Sequence, residues 1–336
     1  MPETDVASAN PIHRLRAALP TGISRLWLRR ILLTNLVAQI GIVLTGGIVR
    51  LTGSGLGCPT FPECVSGSIL PVVHQPQGFH KYIEFGNRML TTVVTVTALA
   101  ALIAVWRYVR AGQGGRRLLG FAALPLIGVL AQALIGGISV LTELNPTVVA
   151  VHFLVSMALI AVSTLLLLVA VPASTETTDA GLVPELTRWA ARALVPTAAL
   201  ALMLGTGVTG SGPHSGDAED PNRFSFDIPL VTRMHSGSVW LFVLLVVTIV
   251  VTLRRADGPA DARRWSTALL LVTAAQGVIG YAQYALGVPA PLVAVHMLGA
   301  SLFVVATTGT TYALRRRRRA FTPEPTPVPT PTSLHA

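Results

Sequence analysis

The chain has 336 residues, of which 51% are hydrophobic and only 12% charged, and its mean hydropathy is +0.62. That balance excludes a soluble globular domain and makes lipid the solvent for most of the chain. The formal net charge of +10 comes from Lys and Arg clustered between apolar runs, so it reads as a topology signal and not as a nucleic-acid footprint; no nucleic-acid partner is expected.

A membrane-spanning helix needs about 20 mostly apolar residues. Eight segments qualify, at roughly 31–49, 82–106, 118–140, 148–171, 190–210, 234–253, 265–286 and 292–314. Residues 1–30 precede them as a tail ending in Arg25, Arg29 and Arg30. Arg107, Arg110, Arg116 and Arg117 follow the second span, Arg188 and Arg192 flank the start of the fifth, and Arg254, Arg255, Arg263 and Arg264 follow the sixth. Five arginines, Arg315 to Arg319, close the eighth, whereas 141–147 and 287–291 contain no Lys or Arg. By the positive-inside rule both termini are cytoplasmic. The outer connections are then 51–80, 141–147, 211–233 and 287–291. Residues 1–24 and the Pro/Thr-rich segment from Thr322 read as disordered tails.

The halves 31–171 and 190–314 repeat, joined by a linker at 172–189. Gln132 to His152 and Gln276 to His296 have the same spacing, each bridged by a short Pro-containing connection and each ending in VAVH. The first span of each half ends in a Gly-rich stretch, VRLTGSGLG and GTGVTGSGPHSG, and a His follows near the start of the next span. The expected fold is an all-α integral membrane protein of the cell membrane. Its eight transmembrane helices form two four-helix bundles, related as parallel repeats by an axis along the membrane normal, with basic then Pro/Thr-rich residues 315–336 as the C-terminal tail.

His80, His152, His235 and His296 lie at or just inside the outer ends of spans two, four, six and eight. Ionisable residues in spans are costly and mark functional sites; the alternative is that each imidazole only hydrogen-bonds across a helix interface. Heme iron with two axial imidazoles from facing helices requires this arrangement, with His235 and His296 as one pair and His80 and His152 as the other. A zinc site would want three or four ligands, and each half supplies two histidines. Glu84, the one acid inside a span, shares a helix face with His80, Asn87 and Arg88. It reads either as a carboxylate beside a bound macrocycle or as an intrahelical partner of Arg88 or Lys81. Arg50, Arg88 and Arg233 lie near the outer boundary, where they would hold propionates or anchor helix ends. Cys58 and Cys64 bracket a turn-rich insert on the oxidising side, which predicts one local disulfide, structural or redox-active.

The motifs GGIVRLTGSGLGCPTFPEC, IEFGNR, VAVH, TGSGPHSGD, RMHS and the second VAVH occur in order between residues 31 and 314. Together they resemble the heme A synthase family. The resemblance implies oxidation of the C8 methyl group of heme O to a formyl group, giving heme A for terminal oxidases. It implies a heme b held by His235 and His296, and a substrate site in the first half with Glu84 and His152. It also implies that heme O synthase (protoheme farnesyltransferase) and terminal oxidase assembly factors are partners, besides the lipid bilayer. Many family members have a His three residues after the Glu; here Asn87 occupies that place, and His80, about two turns earlier, is the nearest substitute. A diheme cytochrome exchanging electrons with quinone needs the same histidines and is the main alternative. A transporter carrying protons on His and Glu is a third.

Overall fold

The computed structural model describes residues 22–172, 183–217 and 219–320. Residues 1–21, residues 173–182 of the expected linker, and the Pro/Thr-rich segment from 321 lie outside the described residues. Eight helices long and apolar enough to cross a membrane make up most of the rest: α1 (Arg25–Leu51), α2 (His80–Arg110), α3 (Arg117–Leu141), α4 (Pro146–Ala170), α5 (Glu185–Ser211), α6 (Ile228–Arg255), α7 (Ala260–Ala285) and α8 (Ala290–Ala320). The protein is a multi-pass membrane protein. Helix is the open-chain solution in lipid because every interior backbone N–H and C=O is satisfied within the segment.

Local chemistry sets several starts. The Ser24 hydroxyl accepts from Trp27 N at 3.3 Å, Asn145 Oδ1 from Thr147 N at 3.0 Å and Asp227 Oδ1 from Leu230 N at 2.7 Å, each relieving a backbone donor left over at a helix N-terminus. Pro146 and Pro229 follow two of these caps, where a missing N–H does no harm. Several helices outrun the apolar segments: α1 begins at Arg25 and α8 runs on to Ala320, because helical hydrogen bonding does not stop where the lipid does. Trp27 with Arg30, Trp106 with Arg110, and Trp189 with Arg192 pair ring to guanidinium at 5.2, 5.3 and 4.4 Å. All three pairs lie at one end of the bundle and form an interfacial aromatic belt there.

Helices α1 to α4 pack as one ring, each against its chain neighbours and α1 against α4; α5 to α8 pack as a second ring in the same way. Within each ring α2 and α4, and α6 and α8, stand diagonally opposite. The rings meet along α1, α4, α5 and α8. The packed aliphatic core is offset to the end with the aromatic belt. In the first ring it comprises Leu28, Leu32, Ala104, Val105, Leu118 and Leu166, and in the second Leu194, Val246, Ile249, Leu253, Leu269 and Ala313.

The connections 52–79, 142–145, 212–227 and 286–289 meet at the opposite end, here called the loop end. Gly55 N donates to Gly216 O at 2.8 Å, a lone antiparallel bridge joins Ser54 to Asp217, and Leu144 packs against both glycines. Arg50 Nη2 donates to Thr209 O at 2.9 Å, a carbonyl in the last turn of α5, and so ties the rings together. The two short hairpins turn alike: Glu143 and Leu144 have φ of 52° and 57°, and Gly287 and Val288 have 73° and 59°. Left-handed backbone is unfavourable for Leu and more so for β-branched Val. Burial of Leu144 and a 2.9 Å bond between His214 Nε2 and Val288 O hold the two hairpins in it.

Small residues permit close helix approach in lipid. A side chain at Gly128 of α3 would overlap Leu159 of α4, whereas Gly120 of the same helix faces open space. Gly128→Leu is therefore expected to cost about 1–3 kcal/mol through overpacking and to lower the thermal midpoint in detergent. Gly120→Leu should leave that midpoint unchanged.

Candidate functional site

Above the aliphatic cores, toward the loop end, the polar side chains of α2, α4, α6 and α8 each face a glycine on the preceding helix. A Cβ at Gly205 of α5 would lie 3.2 Å from His235 Cε1, one at Gly136 of α3 3.4 Å from His152 Cε1, and one at Gly280 of α7 3.6 Å from His296 Cε1. The fourth place belongs to Asn87, whose Nδ2 lies 3.8 Å from the corresponding point on Gly46 of α1. Four glycines thus provide floors for three imidazoles and one carboxamide, all half-buried.

In the second ring His235 and His296 sit on the diagonal helices α6 and α8. His235 Nδ1 is 3.0 Å from Ala201 O; an N–H there fixes the tautomer and leaves Nε2 as a free lone pair, the arrangement usual for a metal-ligating imidazole. Gln276 Nε2 donates to His296 O at 2.9 Å. The Nδ1 atom of His296 and the Oε1 atom of Gln276 are buried without a hydrogen-bond partner. Orphaned polar atoms at a glycine-floored imidazole are uncommon in a finished interior. Two facing imidazoles with this surplus fit axial ligation of a heme.

The first ring has half of that arrangement. Gln132 Nε2 donates to His152 O at 2.8 Å and also to Ser156 Oγ, and His152 Nδ1 and Gln132 Oε1 are again buried without a partner. Across the ring stands Asn87, with Thr45 Oγ1 donating to its Oδ1 at 2.8 Å. His80 occupies the exposed first position of α2, and its Nδ1 is 2.8 Å from Ser54 Oγ. It therefore lies about two turns nearer the loops than Asn87.

Glu84 is 5% exposed and fully engaged. Its Oε1 accepts from Arg88 Nη2 at 2.6 Å and Nε at 3.0 Å, and its Oε2 accepts from Cys58 N at 2.6 Å. Arg88 then continues to the carbonyls of Cys58, Thr60 and Glu63 at 2.7, 3.0 and 3.1 Å. Lys81 Nζ caps Val72 O and Val73 O at 2.6 and 2.8 Å. Cys58 and Cys64 are joined as a disulfide and fully buried. The loop's Phe61 ring lies against Gly137, next to the glycine beneath His152.

Of the two partners that the sequence offered for Glu84, Arg88 forms the ion pair, whereas Lys81 is spent on the Val72 and Val73 carbonyls. Sequence reasoning paired Arg88 with Glu84 but missed the backbone carbonyls that Arg88 and Arg50 also hold; Arg233 is exposed. It also missed the glycine floors, although the Gly-to-His spacing of sixteen residues shared by Gly136–His152 and Gly280–His296 was there to be read.

Residues 29–214, more than half of the chain, match the model of a family described as cytochrome oxidase assembly protein. The chain belongs to this family. Similar curated proteins include the heme A synthase of Lysinibacillus sphaericus, 37% identical over 36% of this chain and 38% of that protein. Those of Geobacillus thermodenitrificans and Bacillus pumilus are 33% and 35% identical over 38% and 34% of this chain, and over 38% and 36% of theirs. The chain thus spans less than two-fifths of the length of these relatives. Their name agrees with the resemblance carried by the motifs.

Arg88→Met removes the guanidinium donors from three loop carbonyls, leaving Glu63 O with the Thr60 hydroxyl alone, and leaves Glu84 buried without its cation, a change that costs about 3–5 kcal/mol when a buried pair is broken. The expected outcome is a loosened loop whose disulfide is reduced faster, read as the rate of maleimide labelling after addition of a phosphine reductant. Labelling at the unaltered rate would show that the disulfide is protected without Arg88.

Proposed function

We propose that the protein is a heme A synthase, oxidising the C8 methyl group of heme O to a formyl group. The observation that carries this reading is the asymmetry between the rings. One holds two facing imidazoles; the other holds a single imidazole, a carboxamide and, one turn away on α2, a buried carboxylate tied to a disulfide loop. An electron carrier with two equivalent hemes has no use for a buried carboxylate and a disulfide loop on one ring alone, whereas an enzyme with one resident and one substrate heme does. Membership of a cytochrome oxidase assembly family and relatives named heme A synthase point the same way.

On this reading the two rings are parallel repeats and the loop end faces the outer, oxidising side, both termini being cytoplasmic. The arginine-rich belt marks the opposite, cytoplasmic end. His235 and His296 hold a heme b, which supplies one-electron transfer when bound. His152 holds the substrate heme O in the first ring, reached sideways from lipid because its isoprenoid tail is itself lipid-soluble. Arg88 and the Cys58 N–H would hold the Glu84 carboxylate in place to take up protons as the methyl carbon is oxidised; with water as the oxygen source that conversion releases four protons and four electrons, the electrons passing to an external acceptor. The disulfide loop closes the site toward water, with Phe61 over α3. A membrane enzyme that makes heme O supplies the substrate, and terminal oxidase assembly factors receive the product.

The test is a pyridine hemochrome spectrum with chromatography of the extracted pigments, on full-length protein from a host that makes heme O. Heme b together with heme O and heme A is expected. His296→Ala should lose heme b, and Glu84→Gln should retain both pigments and make less than about a hundredth of the heme A, the size of a general-base contribution. Heme b in both rings with no modified heme would make the protein an electron-transfer cytochrome working with quinone, and full heme A output from Glu84→Gln would refute the role given to that residue.

A further inference from the structure

Among the four polar side chains over glycines, the first ring departs from the second at one residue, Asn87, and the surroundings of that residue are built. Gly46 lies beneath Asn87 as Gly205 lies beneath His235; both polar residues sit on the second helix of their ring, diagonal to the helix that carries His152 or His296. Asn87 therefore stands where the second axial imidazole stands in the other ring. Its carboxamide is shorter than an imidazole and is a far poorer ligand for iron, while its Nδ2 carries two N–H donors. The amide is oriented by Thr45, the residue before Gly46: Thr45 Oγ1 donates to Oδ1 at 2.8 Å, which turns Nδ2 toward the glycine-floored space. His80 does not stand in for the missing imidazole. It is seven residues nearer the loops, about 10 Å along the helix, and its Nδ1 is engaged by Ser54.

We propose that the first ring is a one-histidine heme site with an open coordination side, and that Asn87, set by Thr45, is the hydrogen-bond donor to a small exogenous ligand on that side. The inference rests on the heme-binding reading above. Distal polarity, donors and steric access decide whether a heme binds small ligands or only passes electrons; by that criterion the second ring is closed on both sides by imidazole and the first admits a diatomic or a water molecule. Asn87 is a positioning residue for that ligand, and Thr45 positions Asn87.

The experiment uses the full-length protein carrying both hemes, reduced and exposed to carbon monoxide, with spin state read by resonance Raman and the C–O stretch by infrared. About one equivalent of carbon monoxide per chain is expected, since only one heme has a free side. Asn87→His should abolish that binding and convert the high-spin signal to low-spin. Asn87→Leu should keep the binding and shift the C–O stretch by removing the donor, and Thr45→Val should split the stretch as the amide loses its fixed orientation. The low-spin heme b of the second ring serves in each variant as the control for folding. Two hemes present with no carbon monoxide bound would overturn the open site, and an unshifted stretch in Asn87→Leu would overturn the role of Asn87. A protein holding heme only through His235 and His296 would instead overturn the heme reading of the first ring, a separate result visible in the pigment stoichiometry.

Discussion

The loop end of this protein is governed by the rule that a polar side chain inside a membrane bundle must find its partners within the bundle, since lipid offers none. Glu84 shows the rule most completely. A lone carboxylate at that depth is untenable, so Arg88 lies one turn further along α2, and the two together reach into the disulfide loop through Cys58 N and three carbonyls. The loop in turn has no regular secondary structure to satisfy its own backbone. The acid thus stabilises the loop and the loop fixes the acid, and neither arrangement is separable from the other.

The imidazoles follow the same rule in a different way. Each sits over a glycine, which lets the preceding helix approach without displacing the ring. Each of His152 and His296 has its backbone carbonyl held by a glutamine twenty residues earlier on the neighbouring helix. Polar groups of the same two histidines and glutamines nonetheless remain buried without partners. Other polar side chains of the bundle back-bond to helix carbonyls, as Thr164, Thr273 and Thr310 do, while Asn35 Oδ1 and Gln39 Nε2 on α1 are likewise buried without a partner.

The helices were legible in the sequence because each carries a mostly apolar run of about the length the lipid requires, and the histidines because polar residues stand out against it. The near-identical Gln-to-His hairpins were legible as well, and the structure gives them the same paired left-handed turn. What was not legible depended on contacts between segments far apart in the chain. Arg50 reads locally as an interfacial anchor, and only the fold brings the end of α5 within its reach. Helix ends also eluded the apolar pattern, because α1 and α8 continue through charged residues where hydropathy falls but backbone bonding does not.

The difference between the rings is larger than one substitution. In the second ring the connection after α5 is short and packs Phe224 and Phe226, stacked at 4.7 Å, onto glycines of that helix. In the first ring the corresponding space is taken by the long disulfide loop, which brings Phe61 to α3 and carries the partners of Glu84. A loop of that size over a two-imidazole site would add nothing to ligation. Over the first ring it fixes the Glu84 carboxylate through Cys58 N and lays the Phe61 ring against α3. The Glu84 network and the loop that it anchors, more than the identity of residue 87, set the first ring apart from the second.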